Sequence, residues 1–504
     1  MSFDTEAAII GSGFSGLGMA IKCKKAGRPF IVFEKGPSIG GTWRDNTYPG
    51  CACDVPAHLY SFSFAQNPEW SRLYAPQSEI RQYLEGCADS FGVREHVRLD
   101  AFVETCAFDE ASGGWQIKVA GSDTLVTARY LVFGTGPLSQ PGFPSIPGMS
   151  DFAGESFHSA AWDHGCDLTG KRVAVVGTGA SAIQIVPQIA DRVASLSVFQ
   201  RTPPWVLPKP DRPIAEEERR RFRRFPLAQR LFRWRLYWMM ELRAIGFTIN
   251  PNIMKRAAKM GREHIESQIE DKEMRAVVTP DYLPGCKRIL MADDWYPTLQ
   301  KENVELVVDK IDRITPTSIV TEDGREREVD VIIYATGFRV SDVLGRTEII
   351  GLGGKTLGEV WQERLSAYLG STITGFPNFF MLLGPNTGLG HNSMVFMIES
   401  QVHYALECMR QCERRGARYL DVRPAEQLQF NESLSPRLAR SIWATGCNSW
   451  YLDSGGHNFS AWPGPTFEFW WRTRRPVAAH YHFVGKRRQP RHLRSVPARA
   501  KVAS

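Results

Sequence analysis

Two glycine-rich turns, each between an apolar strand and a helix, constrain this 504-residue chain more than any other feature. In the first, the apolar residues 7–10 lead into Gly11-Ser12-Gly13-Phe14-Ser15-Gly16. A helical pattern follows over residues 17–25, then a second apolar run, residues 30–33, that ends in Glu34. GxGxxG in this setting marks a dinucleotide-binding βαβ unit. Gly11 permits the tight turn, Gly13 lets a pyrophosphate reach the backbone at the helix N-terminus, and Gly16 lets helix and strand pack closely. Glu34 can accept hydrogen bonds from adenosine-ribose hydroxyls and repels a 2′-phosphate, which restricts the ligand to FAD or NAD. The second glycine pair, Gly40-Gly41-Thr42-Trp43, occurs in many FAD-binding flavoproteins and selects FAD, with Gly41, Thr42 and Trp43 at the cofactor.

The pattern recurs at residues 172–176, followed by Gly177-Thr178-Gly179-Ala180-Ser181-Ala182 and another helical pattern. Ala182 replaces the third glycine and is small enough to keep the packing close. The next strand, residues 196–199, ends in Gln200-Arg201-Thr202 where NAD-binding units carry an acid. A guanidinium can clamp a 2′-phosphate through two parallel hydrogen bonds. This unit therefore reads as an NADPH site, with Gly177, Gly179 and Ser181 at the phosphates and Arg201 and Thr202 at the ribose. The fold expected is α/β, with two Rossmann-like dinucleotide-binding domains for FAD and NADP and electrons passing from NADPH to FAD.

Composition narrows the rest. At 43% hydrophobic and 23% charged residues, the chain is neither disordered nor a small disulfide scaffold. No apolar run approaches the ~20 residues that span a bilayer, and the opening MSFDTEAAIIGSG shows no export signal. A cytoplasmic protein with its ten cysteines reduced is expected. Cys51 and Cys53 fit neither zinc-knuckle nor thioredoxin spacing, so no metal site is expected. The seven Lys and Arg of residues 486–504 account for the whole formal charge of +7. That segment reads as a flexible basic tail on a balanced body, which does not suit nucleic acid.

Disulfide reductases share a double architecture of this kind, but their redox pair, spaced by four residues soon after the glycine pair, is missing. Just before the second unit, residues 152–163 read F-x-G-x-x-x-H-x-x-x-W-D, with Phe152, Gly154, His158 and Trp162 at the fixed positions. Here the chain resembles the type I Baeyer–Villiger monooxygenases, and it does so over nearly its whole length. The resemblance implies that Asp54 lies near the flavin and an active-site arginine, Arg288. It implies that Lys287 touches the 2′-phosphate, that Trp450 belongs to a mobile loop closing over NADP, and that His158 acts through conformation. It also implies the activity: FAD- and NADPH-dependent insertion of one oxygen atom of dioxygen beside a ketone carbonyl, through a flavin peroxide, giving an ester or lactone. A heteroatom monooxygenase attacking sulfide or amine, and an electron-carrying flavoprotein without oxygenation, are the alternatives. Residues 384–393, GPNTGLGHNS, depart from the substrate loop of the best-known cyclic-ketone enzymes.

The domain order expected is FAD domain over 1–145, NADP domain over 146–370 with a helical insert near 213–275, FAD domain again over 371–485, and the tail. The residues at 379–383 are expected to supply the last strand of the FAD sheet. Proline-rich residues 137–147 and the ATG turn at 335–337 mark the crossings. His158 and Trp162 would share a face if their stretch were helical. The basic, aromatic run 231–240 reads as a helix covering the active-site entrance, with a peripheral membrane-surface helix as the alternative.

Overall fold

The computed structural model describes residues 3–486 except 448 and 454, so the basic tail lies outside the described residues beyond Lys486. Two sheets organise the chain. In the first, Thr5–Ile10 lies between Phe30–Phe33 and Val126–Phe133, parallel to both. Phe379–Met381 pairs in parallel with Val126–Phe133, returning the C-terminal part to this sheet as its strand pattern predicts. The second sheet runs Val304–Val307, Ser195–Phe199, Arg172–Val176, Val331–Tyr334, Glu155–His158, every pair parallel. A parallel sheet is covered by helices on both faces, which is why its central strands are apolar without alternation. Ala7, Ala8 and Ile9 are all fully buried, as are Ala174 and Val175.

Two details differ from expectation. The strand Glu348–Ile350 pairs with Val103–Asp109 in the first sheet, so the chain has already left the NADP domain there and the boundary at 370 is too late. Residues 155–158 are a strand, followed by one 3₁₀ turn, Ser159–Ala161, and an extended Trp162. His158 and Trp162 therefore share no helical face. The edge of Val331–Tyr334 offers unpaired backbone groups that residues 155–158 satisfy, and a helix there would leave them open.

The two crossings run side by side: Gly142 N–H donates to Gly337 O at 2.8 Å, and Arg339 N–H to Gln140 O at 2.9 Å. The insert comprises the helices Glu216–Arg224, Pro226–Glu241, Met254–Gln268 and Lys272–Val278. The break between the first two falls at Phe225, and Pro226 opens the next helix where its missing N–H costs nothing.

Candidate active site

The first cradle is closed by backbone contacts that leave no room for side chains. Gly11 has φ +95°, and a Cβ on Gly16 would overlap the carbonyl of Gly11. Gly41, at φ +54°, lies so close to Gly13 that a Cβ on it would sit 3.0 Å from Gly13 Cα, so the second glycine pair packs against the first loop. Thr42 opens a short helix, Thr42–Asp45, whose Trp43 is buried, with its indole N–H donating to the Tyr60 hydroxyl at 3.3 Å. Glu34 is 3% exposed. It accepts from Ser12 N–H at 2.9 Å and Ser12 Oγ at 2.6 Å, from Gly36 N–H at 2.9 Å and from Arg44 at 2.6 Å. Burial works against its charge, but Arg44 and these hydrogen bonds outweigh it and hold the carboxyl below its ordinary range. Glu34 is thus ionised and fixed.

In the second cradle Gly177 has φ +111°, and a Cβ there would lie 2.6 Å from Ala335 O, in the ATG turn. Gly179 has no neighbour within 4 Å of its would-be Cβ, so the space above it is open to a phosphate. Ser181 precedes the helix Ala182–Ile189, and Thr178 Oγ1 donates to Thr202 O at 3.3 Å. Lys287 and Arg201 line the same cavity. Partial burial and then the charge of Arg201 lower the Lys287 ammonium below its ordinary value. Two cations brought together at the strand end make a site for an anion.

Between the cradles, Arg288 donates from Nε at 2.9 Å and from a terminal nitrogen at 2.6 Å to the same oxygen of Asp54. The Asp54 charge raises the guanidinium further above its ordinary value. One cavity of about 1910 Å³ is lined by both glycine loops, Glu34, Arg201, Lys287, Asp54, Arg288 and Trp450. Residues from 48 to 54 dock directly on the second unit: the Tyr48 hydroxyl donates to Gln184 at 3.0 Å, and Gln184 donates to Ala52 O at 3.1 Å. Trp450 stacks on Tyr451 at 4.1 Å.

The cysteines are not all free thiols. Cys286 and Cys447, 161 residues apart, form a disulfide. It ties the segment carrying Lys287 and Arg288 to the loop carrying Trp450. The expectation of ten reduced thiols fails at this pair because the fold, and nothing in the local spacing, brings them together. The other eight are free.

The fingerprint residues lie behind the cavity. Phe152 is half-buried and packs against the apolar cluster beside the second sheet, and a Cβ on Gly154 would overlap Asp330 O. His158 is 2% exposed, with Nδ1 accepting from Ala160 N–H at 3.1 Å and its ring 5.2 Å from Phe143 and 6.0 Å from Phe338. It therefore touches both crossings. Trp162 stands edge-on to Phe157 at 5.1 Å.

Two cavity residues were not singled out from the sequence. Tyr451 is buried and its hydroxyl is pushed up to about 12 by burial, with Arg288 opposing. Its only signal was adjacency to Trp450. His391 lies in the departing segment 384–393. Burial first, and the charge of Arg243 second, push it down to about 3, so it is neutral at physiological pH. Neither of its ring nitrogens has a hydrogen-bond partner among the described residues.

Known proteins resemble this chain over most of its length. Residues 4–344 match the family described as flavin-binding monooxygenase-like. A Baeyer–Villiger monooxygenase of Pseudomonas aeruginosa is 50% identical over 95% of this chain and 91% of its own length, and one of Streptomyces coelicolor is 47% identical over 95% and 92%. Cyclohexanone monooxygenase from Rhodococcus sp. Phi1, solved bound to NADP⁺, superposes with a TM-score of 0.86 at 28% identity, covering 95% of this chain and 99% of that one. The chain belongs to the flavin-binding monooxygenase-like family. Within it, the chain is a flavin-dependent monooxygenase of the Baeyer–Villiger type.

Proposed function

We propose that this chain holds FAD in the first cradle and NADPH in the second, and inserts one atom of dioxygen beside a ketone carbonyl to give an ester or lactone. The observation that carries the reading is the single cavity joining an acidic cradle, a cationic cradle and the Arg288–Asp54 pair. Bound FAD and NADPH supply the electrons that activate dioxygen. The protein does the rest. Glu34 takes the ribose hydroxyls of a dinucleotide without a 2′-phosphate, and Arg201 with Lys287 takes the 2′-phosphate of the other. Asp54 positions Arg288, whose fixed charge stabilises the negative charge that develops on the ketone oxygen as the carbonyl carbon becomes tetrahedral. Buried Tyr451 walls the cavity beside Arg288, and Trp450 stacks on it from the solvent side. His158, in contact with both crossings, acts on their geometry.

The test is a panel of linear, cyclic and aryl ketones plus a sulfide, with NADPH consumption measured against product. Ester or lactone formed in step with NADPH is expected. Sulfoxide alone would move the assignment to heteroatom oxygenation, and NADPH oxidation that needs an added electron acceptor and yields neither organic product nor hydrogen peroxide would make the chain an electron carrier. Arg201→Ala is expected to raise KM for NADPH by about ten- to a hundredfold, the worth of charge-assisted hydrogen bonds, and to leave KM for NADH almost unchanged. Equal effects on both would remove its phosphate role.

A further inference from the structure

The helical insert has a face that none of the described residues covers. The Pro226–Glu241 helix buries Gln229, Leu236, Met240 and Glu241 against the body. Its opposite side is apolar too. Leu227, Leu231, Trp234, Trp238 and Leu242, then Ile245 and Ile249, recur every three or four residues, and each is more than a third exposed. That spacing places the first four on one stripe of the helix, where a helix in water carries polar side chains, and Leu242, Ile245 and Ile249 follow in the turn and π-helix beyond Glu241. The helix Thr466–Thr473 widens it. The Phe467 ring lies 6.3 Å from Trp238, and Trp471, further along, is 74% exposed. Single exposed apolar residues are ordinary, whereas a contiguous set marks a binding surface.

The surrounding charge identifies the partner. Residues 219–262 hold thirteen Lys and Arg and one acid, Glu241, which is buried. Arg219 and Arg223 pair with Glu216. Arg220, Arg221, Arg224, Arg230 and Arg235 are exposed and have no ionic partner among the described residues. Exposed Arg474 and Arg475 follow Trp471. Tryptophan and leucine between unpaired arginines is the chemistry of a helix lying in the headgroup region of an anionic bilayer. The stripe also reaches the site: Leu242, Ile245, Ile253 and Met260 are exposed and line the large cavity. No helix among the described residues is long and apolar enough to cross a membrane, so the contact is peripheral.

We propose that this face docks on an anionic phospholipid surface, with Trp234, Trp238 and Trp471 entering the headgroup–acyl boundary, the arginines on lipid phosphates and the cavity rim inside the contact. The experiment is sedimentation of the full-length, FAD-loaded protein with vesicles of phosphatidylcholine, with and without phosphatidylglycerol. Retention is expected on the anionic vesicles and release at high salt. The triple variant Leu231→Ser, Trp234→Ser, Trp471→Ser should lose about tenfold in retention while keeping its FAD content. Should that variant fold poorly, Arg230→Glu with Arg235→Glu should give the same loss. Three results would overturn the proposal. One is wild-type protein left in the supernatant of anionic vesicles. A second is undiminished retention of the variants, whose residues 487–504 are intact and would then hold the contact. The third is a wild-type dimer in light scattering that the triple variant dissolves, which would assign the face to a second copy of the chain.

Discussion

Replacing Arg288 by alanine is expected to abolish ester formation while FAD binding and NADPH oxidation continue. The side chain contributes to neither cradle's backbone turns; its contacts are the two hydrogen bonds to Asp54 at 2.9 and 2.6 Å. What is lost is a preorganised positive charge in the wall between the cradles, and removal of one such stabilising group typically costs about 10²–10³ in turnover. Reduced oxygen should then leave as hydrogen peroxide, so that NADPH consumption and ester separate. Lysine should rescue only partly, since an ammonium cannot make the same pair of directed bonds to Asp54. Oxygenation of ketones by Arg288→Ala at the wild-type rate would remove the residue from the chemistry.

The glycines of the two cradles are expected to behave in opposite ways. In Gly16→Ala the new methyl meets the Gly11 carbonyl, backbone against backbone, with no flexible side chain to give way. The strand–helix junction must open, at a cost of about 3 kcal/mol or more by the measure of overpacked cores. The purified protein should be colourless and resist reconstitution with FAD. In Gly179→Ala the methyl meets nothing within 4 Å, so the fold, the melting temperature and the yellow colour should persist. The methyl occupies the space a phosphate needs, and KM for NADPH should rise about tenfold or more. A Gly16→Ala protein with full FAD content would show that the tight junction is not required, and an unchanged NADPH KM in Gly179→Ala would place the pyrophosphate elsewhere.

Much of this site was legible because its signals are local. A turn that needs φ near +95° or +111° must be glycine, and Gly11 and Gly177 stand where the strand-to-helix pattern requires them. Glu34 and Arg201 end the second strand of their units, a position set by strand length alone. The paired motifs fixed the α/β class and the sheet to which residues 379–381 return. Local pattern failed where neighbours in space decide. Residues 155–162 carry a spacing compatible with a helix, yet a free sheet edge recruited the first four as a strand. The return to the first sheet came before residue 348, since a three-residue strand beside Val103–Asp109 has no signal of its own. Arg44, the partner that keeps buried Glu34 ionised, and Gln184, which locks residues 48–54 to the second unit, became visible only through their contacts.

By itself, then, the amino-acid sequence determined two nucleotide cradles of opposite charge, because turn geometry and ribose chemistry act over a few residues. Tertiary structure decided what lies between and outside them. It set Asp54 against Arg288 across 234 residues, joined Cys286 to Cys447, buried His391 without a hydrogen-bond partner among the described residues, and left one face of the 226–241 helix uncovered by them. Such pairings depend on how two sheets and an insert are packed, and packing is a property of the whole chain that no stretch of it encodes alone.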